Sequence, residues 1–156
     1  MSDDARAIQR LHVNVQTVVP RPLEAVWAEH DSGDHPAWGD PAWQATPLAG
    51  PSGRVVGAGN VAVIPARGQL GLRSVWLSRV IAVMPGYSVT VETLNGTLEQ
   101  VETIRFLDAG EGATRLELDS YITTVISPSR VPEMTVRFGD MAQAYIDRVA
   151  DWRPPA

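Results

Sequence analysis

The chain contains no cysteine. Disulfide staples, thiol nucleophiles and cysteine-ligated zinc or iron–sulfur centres are excluded, and the redox state of the compartment imposes no constraint. Lysine is missing too: all 13 basic residues are arginine, which removes Schiff-base chemistry and lysine general bases. Positive charge is scarce overall. Eighteen acidic residues leave a net charge of −5, with no basic run to neutralise phosphates, so no nucleic-acid partner is expected. No stretch of ~18 apolar residues occurs, so no membrane span is expected. The acidic, polar start from Met1 to Arg10 lacks the apolar centre of a secretion signal, and a cytoplasmic location is expected. Three histidines, His12, His30 and His35, form no His-x-x-x-His pair; Gly57-Ala58-Gly59 lacks the lysine and following helix of a phosphate loop; no Gly-x-Ser-x-Gly is present. Neither a metal nor any other cofactor is expected.

What is present is an ordinary soluble composition. The 156 residues are 44% hydrophobic and 20% charged, enough for one domain with a real core. A single domain over 1–156 is expected, with 1–9 flexible and 153–156 a tail.

Leu11 to Val19 alternates, with Val13, Val15, Thr17 and Val19 on one face, which predicts a half-buried strand. Pro20 and Pro22 end it, and Pro22 suits the start of a helix carrying Leu23, Val26, Trp27 and His30 on one side. His35 to Gln44, with Trp38 and Trp43, reads as a second short helix or structured loop. From Thr46 the texture is β: strands over Asn60–Pro65, Leu72–Met84, Tyr87–Leu94, Leu98–Leu107 and Thr114–Val125, separated by glycine- and proline-bearing turns. Asn95-Gly96 is a hairpin signal. Leu72 to Met84 is apolar on both parities. A last helix is predicted over Pro132 to Trp152. Met134, Phe138, Met141, Tyr145, Val149 and Trp152 recur every three or four residues, and Glu133, Arg137, Asp140, Asp147 and Arg148 lie opposite. Gly139 would kink this helix or admit a close neighbour.

Strands in such an order form an antiparallel meander, and its apolar face needs a cover. The only long apolar helix is the last, so the sheet must curl around it. Val18-Val19-Pro20-Arg21-Pro22, then Leu23-Glu24-Ala25-Val26-Trp27, a break near Asp31 and Pro36-Ala37-Trp38 resemble the START/Bet v 1-like superfamily, including its bacterial polyketide cyclase/dehydrase-type members. Val80 to Pro85 and Gly112-Ala113-Thr114-Arg115-Leu116 match further patterns of that group, in order. Arg21 and His30 depart from it. The resemblance implies an α+β helix-grip fold: a curved, seven-stranded antiparallel sheet around a long C-terminal helix, with two short helices after the first strand. It also implies a cavity for an apolar small molecule, and roles in secondary metabolism for the cyclase-type members.

Strand and helix parities nominate the cavity's contents. His30, Glu102 and Tyr145 are the candidate proton-transfer groups. His30 has an imidazole that titrates near neutrality. Glu102 shares a strand face with Gln100, Ile104 and Phe106, where a carboxylate needs a partner or a raised pKa. Tyr145 lies on the apolar helix stripe with a hydroxyl that seeks a partner. Trp27, Trp38, Trp76, Val89, Val91, Ile104, Phe106, Leu118 and Ser120 are expected to line the walls. Met134, Phe138 and Met141 are expected to form the floor.

Three functions fit. One is a cyclase or dehydratase acting on a hydrophobic or aromatic substrate. The second is a non-catalytic carrier or sensor of such a ligand. The third is a co-chaperone-like interaction module using apolar Val75, Leu77, Ile81 and Val83. A monomer and a homodimer both fit.

Overall fold

The computed structural model describes residues 5–31, 44–51, 53–64, 74–151 and 153. Seven strands make one antiparallel sheet in the order β1-β7-β6-β5-β4-β3-β2. They are β1 (Ala7–Val19), β2 (Gln44–Pro47), β3 (Gly59–Ile64), β4 (Ser74–Met84), β5 (Ser88–Asn95), β6 (Leu98–Gly110) and β7 (Ala113–Ile126). Helix α1 (Leu23–Asp31) follows β1, and helix α2 (Val131–Asp151) closes the chain after a short 3-10 turn at Pro128–Arg130. This is the helix-grip arrangement. The expected second short helix falls almost wholly outside the described residues; at its far end Gln44 already belongs to β2. Strand β1 begins at Ala7, four residues before the alternation becomes clean.

From β4 to β7 consecutive strands pair across links of two or three residues, and β1 completes the sheet by pairing with β7 along its whole length. The turns sit where the backbone needs glycine: Gly96 (φ 36°) starts the two-residue link from β5 to β6, and Glu111 (φ 53°) lies between Gly110 and Gly112 in the next hairpin. The double parity of β4 is explained by a bulge. Its register against β5 skips Ile81, between Val80 and Ala82. Trp76, Ser78 and Val80 face inward before the bulge and Val83 after it, while Val75, Leu77 and Ile81 are exposed.

Helix α2 crosses β1 and β7, burying Ala142, Ile146, Val149 and Ala150. These pack with Leu11, Val13, Leu116, Leu118 and Ile122 in the main core. Helix α1 seals one end of that core over β6 and β7. Trp27 meets Phe106 edge-on at 5.1 Å, and the His30 ring lies 5.7 Å from Phe106. The Arg21 guanidinium joins the two helices, pairing with Glu29 and donating to the Ala150 carbonyl at 3.3 Å. Gly139 neither interrupts α2 nor admits a neighbour: a Cβ there would meet nothing within 4 Å. No helix among the described residues is long and apolar enough to cross a membrane.

Candidate functional site

Helix α2 covers the β1–β7 half of the concave face, and among the described residues no helix covers the strands beside it. A cavity of about 280 Å³ lies there, at the small end of the usual ~300–1,000 Å³ range and suited to a one- or two-ring molecule. Strand register builds its sheet wall. Ala62 of β3 stands opposite Trp76 of β4, Ser78 opposite Thr93 of β5, Val91 opposite Glu102 of β6, and Glu102 opposite Ser120 of β7. On α2, Phe138, Met141, Tyr145 and Arg148 recur at helical spacing along the facing stripe. Exposed Met141, Ala144 and Arg148 mark the open side.

One polar network crosses the wall. The Gln100 side-chain amide donates to Glu102 Oε2 at 2.9 Å and to Ser120 Oγ at 2.9 Å. Beside it Ser78 and Thr93 hydroxyls bond each other at 3.0 Å. Burial pushes the Glu102 carboxyl up to about 7, against the opposing pull of the Gln100 hydrogen bond. The Tyr145 hydroxyl is enclosed and has no hydrogen-bond partner among the described residues. Its pKa is raised, first by burial and then by the Glu102 charge, with Arg54 and Arg148 opposing. It therefore stays a neutral donor throughout the physiological range. The cavity thus offers a carboxyl that exchanges its proton near neutrality, a free phenolic donor, and aromatic and apolar surface from Trp76, Val91, Ile122 and Phe138.

Of the residues expected to share one site, Glu102, Tyr145, Trp76, Val91, Ser120, Phe138 and Met141 border this cavity. Others do not. His30 is 1% exposed on α1, against Phe106, and is not in this cavity wall. Val89, Ile104, Phe106 and Leu118 lie on the inward face nearer α1, and Trp27 reaches them from α1 itself; the four strand residues are packed core and Trp27 packs half-buried against them, outside the cavity wall. Met134 sits beyond the cavity's end, half-buried against the main core, with its sulfur 3.9 Å from the Arg130 guanidinium. Trp38 lies outside the described residues. Ser78, Thr93, Gln100 and Arg148 are further polar lining residues, outside the set expected from the sequence. Gln100 is two residues from Glu102 on the same strand face. Arg148 is expected on the solvent face by its charge, yet it stands three residues after Tyr145 and seven after Met141, a spacing that keeps it on the same stripe. Arg54 was also missed; it is buried, with its guanidinium 5.2 Å from the Phe106 ring centre.

No known protein family matches the sequence. No curated protein matches it either. Solved structures do match. A truncated norcoclaurine synthase from Thalictrum flavum superposes with a TM-score of 0.63 at 14% identity, covering 96% of each chain. The same enzyme in complex with dopamine and hydroxybenzaldehyde gives 0.60 at 13% identity, covering 94% of this chain and 86% of that one. A Rhizobium loti protein gives 0.63 at 14% identity, covering 92% and 97%. At these identities the likeness establishes the fold. The chain has the helix-grip, Bet v 1-like architecture, with a cavity between sheet and C-terminal helix.

Proposed function

We propose that the chain binds an apolar or aromatic small molecule in this cavity and acts on it as an enzyme of the polyketide cyclase/dehydrase type. The observation that carries this reading is the enclosure of Glu102, titrating near 7, and the unpartnered Tyr145 hydroxyl in one ring-sized cavity. An acid–base group works best when both protonation states are accessible at the operating pH. The aromatic ligands of norcoclaurine synthase support a ring-shaped occupant by analogy of fold.

The chemistry is proton abstraction beside a carbonyl. Ionised Glu102 takes the proton from the carbon next to a ketone. The C–H electron pair becomes the C=C of an enolate, and the Tyr145 hydroxyl donates to the enolate oxygen. The enolate carbon attacks a second carbonyl held nearby, closing a ring, and the new alkoxide recovers the proton from Glu102. For dehydration, Glu102 removes the remaining proton of that carbon, the C=C forms, and the departing hydroxide reclaims the proton as water. Gln100 would hold the carboxyl in place through its hydrogen bond to Oε2.

The test is enolisation of a ring-sized ketone. With 2-tetralone in heavy water, followed by NMR, the chain accelerates deuterium uptake at the carbons beside the carbonyl. Glu102→Gln loses on the order of 10²–10⁴-fold of that acceleration. Binding with no acceleration would leave a carrier of hydrophobic ligands. No binding would end the cavity reading.

A further inference from the structure

Arg148 lies at the open side of the cavity, exposed, one turn beyond Tyr145. Carboxylates stand close by in sequence on the same helix, but none pairs with it. Asp147 accepts a hydrogen bond from Gln143 at 3.0 Å instead, and no carboxylate oxygen among the described residues lies within 4.0 Å of the Arg148 guanidinium. Its charge nevertheless reaches inward, opposing the rise of the Tyr145 pKa. Among the described residues, Glu102, Tyr145 and Arg148 are the ionisable ones in the wall. Glu102 is about half-protonated at neutral pH and Tyr145 is neutral, while buried Arg54 beside Phe106 also opposes the Tyr145 rise, so the fixed charge around the cavity is mainly positive and Arg148 is the cation at its mouth.

The geometry points to an organic anion as the ligand: its ring body against Trp76, Phe138 and Met141, its oxygen function at the buried Tyr145 hydroxyl, and its carboxylate on Arg148 at the mouth. This inference rests on the ring-binding reading above and adds the class of the ligand. Arg148 is then the residue that selects for charge. Its planar guanidinium suits a carboxylate in two-point contact.

Calorimetric titration of the full chain with 2-naphthol and with 6-hydroxy-2-naphthoate tests it. These probes share the ring and hydroxyl and differ in the carboxylate. The naphthoate is expected to bind about fivefold more tightly, the weight of a partly exposed ion pair. In Arg148→Gln the ratio of the two affinities falls to about one, whatever the change in each; Arg148→Lys keeps part of the advantage. Arg148 is exposed, so these variants keep the fold. Equal affinity for the two probes, or an advantage that survives Arg148→Gln, overturns the inference and leaves ring binding intact. Failure of both probes to bind overturns the ring-binding reading as well.

Discussion

Replacing Glu102 with glutamine should make the protein more stable, and only above a defined pH. Glu102 titrates at about 7 in the folded chain, against 4.5 for an ordinary glutamate. Between those values the folded chain holds a proton that the unfolded chain has released. Stability therefore falls as pH rises from about 4.5 to about 7 and carries the full penalty above that. At ~1.36 kcal/mol per pH unit the penalty is at most ~3 kcal/mol; water entering the open side would trim it toward ~1 kcal/mol. Glutamine is the neutral isostere, and its carbonyl oxygen accepts the same hydrogen bond from Gln100. The assay is urea unfolding of both proteins from pH 4.5 to 8.5. The expected difference is near zero at the acid end and grows to ~1–3 kcal/mol in favour of Glu102→Gln above pH 7, about 3–10 °C in Tm. A difference that does not change with pH, or a variant less stable at pH 8, would refute the argument that burial holds this carboxyl near neutrality.

Further outcomes follow from the same geometry. Tyr145→Phe removes an enclosed hydroxyl with no partner, so it should gain up to ~1–2 kcal/mol of stability while slowing enolisation of 2-tetralone; a loss of stability in melting experiments would mean the hydroxyl is bonded. The rate of that enolisation should rise with pH as Glu102 ionises, with a midpoint at about 7, and level off beyond; a midpoint near 4.5 would remove Glu102 as the base. Ala62→Leu fills the cavity opposite Trp76 and should weaken 2-naphthol binding about tenfold or more in calorimetry, with a stability change under ~1.5 kcal/mol in urea. Gly59→Ala would place a Cβ 2.3 Å from the Ser78 carbonyl oxygen, and should cost ~1–3 kcal/mol by the same unfolding assay.

Much of this architecture was legible because period and punctuation agree. The strict alternation of Leu116, Leu118, Ser120 and Ile122 fixes β7, and the stripe through Phe138, Met141 and Tyr145 fixes α2. Strand parity also turned Glu102 inward. What parity alone does not give is depth along the sheet. Phe106, Ile104 and Glu102 share one inward face, yet α1 packs on Phe106 and leaves Glu102 beside the void. That difference depends on where a separate helix docks. His30 follows the same logic: its helical face was evident, but the end of the core it plugs was not. The bulge at Ile81 hid the parity of β4, since its two phases overlap as one apolar run. Arg148 was assigned by charge to the solvent side, although its spacing from Tyr145 put it at the cavity's edge.

The proposed function requires that a ring-shaped molecule bind in the space between the sheet and α2. Two-dimensional NMR of the isotopically labelled chain, titrated with 2-naphthol, tests it most directly. Saturable shifts are expected, concentrated on Trp76, Val91, Gln100, Glu102, Ser120, Phe138, Met141 and Tyr145. Shifts confined to the exposed apolar residues Val75, Leu77 and Leu94 of the opposite sheet face, or no saturable shifts at all, would contradict it.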